Sequence, residues 1–321
     1  MIKATRAFCL LMLSATGWAQ AASPASAQDA DQAQLPVTTL KVVTGLVAIS
    51  AVVKSKDGEP TTGLTKDDFV LKQDGKEEPI RYFSRGSELP LSFALMVDTS
   101  GSQQTFIGDE SLASDVFFET MLGRKEDRAM LVEFGASVLP LKSMTNSANE
   151  LHLALSRLSP RAAGGTLLYD AVYSLAKNVL ASETGRKAMV ILSDGGDNGS
   201  SRSLAEAIEQ AQRADVQIYS ILYSMWNNLS ASDTGRAPTK DPGLAALEKL
   251  SESTGGRVFT VSRTMSLRDI FAQIAQDLRL QYELGYKPPP DTQPNSYHKL
   301  ELKAKDKKLT VQARKGFFEP P

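Results

Sequence analysis

Between Leu89 and Leu278 short apolar runs alternate with helical periodicities, and no other feature of the chain restricts its fold as tightly. The runs are "FALMV", "AMLVEF", "AMVILS", "VQIYSILY" and "GRVFTV". Between them lie spacings such as Leu168, Val172, Leu175, Val179 and Leu204, Ala207, Ile208, Ala211. Such runs lack the polar alternation of a half-exposed strand, so they read as strands buried on both faces. Strands alternating with helices predict an α/β fold, a doubly wound and mainly parallel sheet covered on both sides. Helix punctuation agrees. Ser203 with Glu206 forms a capping-box pattern, Ser266 with Asp269 a second, and Gly255 follows "LAALEKLSEST" where a C-terminal glycine belongs.

Both ends of the chain have a different texture. From Leu40 to Phe83, branched residues and the Asp74-Gly75 pair between two apolar runs predict three or four strands with a hairpin. Near the other end "YELGYK" alternates Tyr282, Leu284, Tyr286. "YHKLELKAK" places Leu300 and Leu302 opposite Lys299, Glu301 and Lys303, and "KLTVQAR" alternates Leu309, Val311, Ala313. Neither end has enough strands to close a core alone. We therefore expect residues 37–88 and 279–318 to form one antiparallel β-sandwich, with residues 89–278 inserted as a second domain.

The first 21 residues join two positive charges in "MIKATR" to the apolar core "AFCLLMLSATGW" and the small residues "AQA", the pattern of a secretory signal peptide. Residues 22–36 are small, polar and without period, and read as a flexible linker. Cleavage would remove Lys3 and Arg6 from 36 basic residues, leaving 34 against 37 acidic ones, a net charge of -3. It would also remove Cys9, which reads as a filler of the apolar core. A cysteine-free mature chain excludes disulfides, thiol nucleophiles and thiolate metal sites. No second apolar segment is long enough to span a bilayer, and the charge balance gives no reason to expect nucleic acid. The expected location is the periplasm, the cell envelope or the exterior.

Three strand exits carry oxygen-bearing residues. "LSFALMV" stops at Asp98 and continues with Ser100 and Ser102; "GGT" ahead of the next helix supplies Thr166; "AMVIL" ends in Ser193, Asp194 and Gly195. On a doubly wound sheet such loops gather at one edge. A cluster of hard oxygens selects Mg²⁺, Mn²⁺ or Ca²⁺, and few carboxylates with several neutral hydroxyls suit Mg²⁺ best. The ion would keep positive character toward solvent, so an acidic group on a protein partner is its natural complement.

The combination of "DTSGS" after an apolar strand, "GGT" opening a helix and a strand ending in "SDG" resembles the metal-ion-dependent adhesion site of von Willebrand factor type A domains. The flanks "GLTKDDFVLKQDGKEEPI", "YELGYKPP" and "RKGFFEP" resemble the secreted bacterial proteins related to that domain. The resemblance implies that Ser100, Ser102 and Thr166 contact the metal, that Asp98 and Asp194 act directly or through water, and that the site is intact. It implies a binding or adhesion module rather than an enzyme.

Gly164 and Gly165 read as a device for close backbone approach. Asp170 sits in a first helical turn, where an acid suits the dipole, and Asp197 and Asn198 read as a solvated turn. Neither His152 nor His298 neighbours a serine in a nucleophile-elbow pattern, no G-x-S-x-G occurs, and "DTSGSQQ" lacks a dinucleotide fingerprint. The lysines from Lys299 to Lys315 mark a solvated strand face. The long stretch Ser224 to Gly243, with Trp226, is a candidate determinant of partner choice. A Mg²⁺-dependent hydrolase and a structural envelope component with a loop-pinning ion remain alternatives.

Overall fold

A computed structural model describes residues 45–85, 89–101, 107–159, 164–223, 243–289 and 293–319. The signal peptide and linker expectations, Leu40 at the start of the first β region, Ser102 and nearly all of the Ser224 to Gly243 stretch lie outside them.

The first four strands are β1 (Val47–Lys54), β2 (Phe69–Gln73), β3 (Lys76–Glu78) and β4 (Ile80–Arg85). The middle follows as β5 (Leu91–Asp98), α1 (Ile107–Met121), β6 (Arg128–Phe134), β7 (Val138–Thr145), α2 (Ala148–Leu155), α3 (Leu168–Asn178), β8 (Arg186–Ser193), α4 (Leu204–Arg213), β9 (Val216–Leu222), α5 (Leu244–Thr254), β10 (Val258–Thr260) and α6 (Leu267–Arg279). The chain closes with β11 (Tyr282–Tyr286), β12 (Tyr297–Ala304), β13 (Thr310–Ala313) and β14 (Gly316–Phe318).

The middle strands form a six-stranded sheet in the order β10-β9-β8-β5-β6-β7, parallel except for β7. Alternation along β5 explains its two faces. Phe93, Leu95 and Val97 point into one apolar cluster with Phe117 and Phe118 of α1, Leu151 of α2 and Phe271 of α6. Ala94 and Met96 point into another with Val172 of α3, Ala207 of α4 and Leu247 of α5. Phe117 stacks on Phe271 with ring centroids 4.5 Å apart, so α1 and α6 are locked together on the first face. From β5 the chain goes to β6 on one side and returns to β8 on the other. The order therefore reverses between β5 and β8, where open α/β sheets place their ligands.

Local signals behave as read. Ser203 and Ser266 each accept an N–H three residues on while Glu206 and Asp269 reach back, completing both capping boxes. Gly255 ends α5 at φ 91°, and Asp74 and Gly75 turn the β2–β3 hairpin at φ 50° and 84°. Three features differ from expectation. β7 is an unanticipated antiparallel edge strand, β10 is only three residues long, and "GFF" forms β14.

Strands from both chain ends mix in two antiparallel four-stranded sheets, β13-β1-β11-β4 and β14-β12-β2-β3. Ile49, Val53, Phe69, Leu71, Leu284 and Leu300 share one apolar cluster drawn from both. β11 is buried on both faces: Tyr282, Leu284 and Tyr286 enter that apolar cluster, and Glu283 on the other side lies near Arg186 and Arg314. Polar groups fill that junction. Lys54 lies 2.6 Å and Arg257 3.0 Å from the carboxylate of the fully buried Asp277, Arg314 lies 3.0 Å from Asp215, and Glu283 accepts the Ser50 hydroxyl at 2.9 Å.

Candidate metal centre

Asp98 ends β5 with no exposed surface. Its Oδ1 accepts the Ser100 N–H at 2.9 Å and its Oδ2 accepts the Ser193 hydroxyl at 2.6 Å, tying the exits of β5 and β8 to one carboxylate. The first bond closes a tight side-chain turn, the reason a short acid followed by small residues suits this position. Thr99 donates to the Phe134 carbonyl through both its N–H and its hydroxyl, at 2.8 and 3.2 Å, so the turn is also held to β6.

Burial pushes the Asp98 carboxyl above its ordinary range, and the nearby Asp194 adds to the rise. The Ser100 and Ser193 hydrogen bonds offset it only in part. A cation beside the carboxylate would reverse that balance.

The second strand exit is built around Asp194. Gly195 donates to the Ser193 hydroxyl and Gly196 to Asp194 Oδ1, both at 3.0 Å. Gly195 has φ 80°, and a Cβ there would come within 2.4 Å of the Gly243 carbonyl, so only glycine lets this loop meet the start of α5.

Thr166 lies in the third loop, 6 % exposed. Its N–H donates to Asn198 Oδ1 at 2.6 Å and its carbonyl accepts the Asn198 N–H at 3.1 Å, joining the Thr166 loop to the one after β8. Leu167 donates to the Gly135 carbonyl at 2.9 Å, and the Cβ position of Gly135 lies 3.5 Å from Thr99 Oγ1. The Thr166 loop is thereby held to the Asp98 turn as well. Gly165 permits this approach, since a Cβ there would sit 2.7 Å from Asn198 Oδ1.

Asp98, Ser100, Thr166 and Asp194 thus belong to three loops joined by hydrogen bonds at the sheet's switch point. Ser102 lies outside the described residues. Asp170, Asp197 and Asn198 prove to be structural parts of this edge. Asp170 accepts the Ser201 and Arg202 N–H groups at 2.9 Å, and Asp197 accepts the Tyr169 N–H at 3.1 Å. Ser193 and Asn198 are positioning residues, the first for Asp98 and the second for the Thr166 loop. Ser193 directly precedes Asp194, and Asn198, expected as part of a solvated turn, lies four residues after it.

Both histidines lie elsewhere, His152 paired with Asp115 at 2.9 Å and His298 with Asp74 at 2.7 Å. Among the described residues no group of three or more His, Cys, Asp or Glu is arranged to hold a metal, so a cation here depends on hydroxyl oxygens. The chemistry of the donor set suits a hard ion: the carboxylates of Asp98 and Asp194 and the hydroxyls of Ser100 and Thr166.

A family model of the von Willebrand factor type A domain matches residues 94–273. The chain belongs to that family. The matched type A domain runs from β5 into α6, and all four described candidate ligands fall inside it. No curated protein matches the chain. Similar solved structures include a conserved hypothetical protein, BatB, from Bacteroides thetaiotaomicron, with 13% identity over 59% of this chain and 97% of that one at a TM-score of 0.47. Another is the vWF domain of the type V pili tip protein Mfa5 from Porphyromonas gingivalis, with 15% identity over 59% and 94% at a TM-score of 0.43. A third is the pilus adhesin SpaC from Lactobacillus rhamnosus GG, with 10% identity over 79% and 47% at a TM-score of 0.46. Among the described residues no helix is long and apolar enough to cross a membrane.

Proposed function

We propose that the type A domain is a metal-dependent protein-binding module. Asp98, Ser100, Thr166 and Asp194, together with Ser102, hold Mg²⁺, with Mn²⁺ or Ca²⁺ as substitutes, and a carboxylate of the partner completes the coordination. The observation that carries this reading is the state of Asp98: a fully buried acid at the switch point whose charged neighbour is another acid. A bound cation would supply the missing positive charge and leave a positive face toward solvent. This chain's own part is to fix the oxygens. Ser193 and the Ser100 N–H orient Asp98, and Asn198 and Gly135 hold the Thr166 loop in place.

The role is one of binding rather than catalysis, because no histidine stands beside these oxygens to act as a general base. In the same reading the two four-stranded sheets are one β-sandwich into which the type A domain is inserted, and the chain is exported to the periplasm or beyond.

Capture of envelope proteins on the immobilised chain tests the proposal. Bound partner should be retained in Mg²⁺, released by EDTA and weakened at least tenfold by Thr166→Ala. A partner held equally well after chelation would remove the metal from the interaction.

A further inference from the structure

His298, on β12, sits between an acid and a hydroxyl. Its Nδ1 lies 2.7 Å from Asp74 Oδ2 and its Nε2 2.8 Å from Ser296 Oγ. Asp74 comes from the β2–β3 turn, 224 positions away in the sequence, and its orientation is fixed twice over. Its Oδ1 accepts the Lys299 N–H at 2.9 Å and its own N–H donates to the Lys299 carbonyl at 2.9 Å. The His298 ring lies against Phe317 with centroids 5.4 Å apart. With Asp74 Oδ2 taking the Nδ1 proton, Nε2 presents its lone pair to Ser296 Oγ. The serine hydroxyl donates to the Gln293 carbonyl, and its proton leaves that acceptor for His298 Nε2 when the base acts. The group opens on a cavity of about 340 Å³ whose walls also carry Lys76, Glu78 and Pro289.

We propose that Ser296, His298 and Asp74 form a second, hydrolytic site that cleaves small neutral esters, on the antiparallel sheets and separate from the metal edge. The three groups are hydrogen-bonded in the order nucleophile, base and orienting acid, the geometry that lets an imidazole activate a hydroxyl. Ser296 Oγ attacks the ester carbonyl as His298 Nε2 takes its proton. The tetrahedral intermediate then expels the alcohol, which receives that proton from His298. Water, deprotonated by the same imidazole, releases the acid and restores the serine, so ester and water become acid and alcohol. Lys76 and Glu78 place opposite charges in the cavity wall, which favours a neutral substrate over a charged one.

The test treats the full chain, in EDTA so that metal-dependent chemistry at the other edge does not contribute, with a fluorophosphonate probe and with p-nitrophenyl acetate. Intact mass and peptide mapping should place one adduct on Ser296, and p-nitrophenolate should be released. Ser296→Ala should abolish both. His298→Gln should slow both about 10²–10⁴-fold, the usual contribution of a general base. Asp74→Asn should lower kcat at unchanged KM, a split that mere loss of packing would not give. Thermal unfolding of each variant should match the wild type. An unlabelled wild type, an adduct on another residue, or undiminished turnover in Ser296→Ala would overturn the proposal.

Discussion

Asp277→Ala should destabilise the fold by about 3 kcal/mol, the scale of removing one member of a buried ion pair. For a chain of this size that is a fall of roughly 5 °C in Tm. The Asp277 side chain has no exposed surface and serves two cations, Lys54 from β1 and Arg257 ahead of β10. Burial lowers the Lys54 ammonium below its ordinary range even with Asp277 beside it, so its desolvation is already costly. Without the carboxylate that cost loses its main compensation. Replacing the cation too, as Lys54→Met in the Asp277→Ala background, should recover part of the loss. Guanidinium unfolding of the wild type and the two variants measures this. A change below about 0.5 kcal/mol in the single variant would mean that the junction is wetter than its geometry indicates.

Glu283 should impose an unusual pH dependence on the same junction. Burial pushes its carboxyl up to about 7, although Ser50, Arg186 and Arg314 pull the other way. The native state then holds the proton more tightly than the unfolded chain, where the ordinary value is 4.5. The stabilisation is complete below about pH 4.5 and is lost as pH rises through about 7. At 1.36 kcal/mol per unit the difference is about 3 kcal/mol. Glu283→Gln should therefore be less pH-sensitive than wild type between pH 5 and 8, and about as stable as wild type near pH 5. Denaturant melts of both proteins across that range check it, and parallel pH profiles would show that Glu283 ionises normally.

The fold was legible where one local rule decided the outcome. Leu168, Val172 and Leu175 all face the core of α3, and the capping boxes at Ser203 and Ser266 mark two helix starts. Asp74-Gly75 placed a hairpin because few other residues tolerate positive φ. What escaped the sequence depends on partners distant along the chain. β7 carries Pro140 and a half-exposed pattern, and becomes a strand because β6 offers it an edge, with register shifts along the pairing. Glu283 alternates with Tyr282 and Leu284 as a solvated residue would, yet its side faces Arg186 and Arg314 rather than water.

At the candidate metal centre, Asp98, Ser100, Thr166 and Asp194 were legible because oxygen-bearing residues at strand ends are conspicuous after apolar runs. Ser193 and Asn198 were not, since a positioning role is defined by the atom reached, here Asp98 Oδ2 and the Thr166 N–H. The same holds for Ser296 and His298. Asp74 is 224 positions from His298, and the pairing of β12 with β2 brings it near.

The central claim is that these oxygens hold a divalent cation, and calorimetric titration of Mg²⁺ tests it most directly. The wild type should show one saturable site per chain, and Asp98→Ala none, with Asp194→Ala at least tenfold weaker. A wild type that takes up none of Mg²⁺, Mn²⁺ and Ca²⁺, or an Asp98→Ala variant that binds them as the wild type does, would contradict the account.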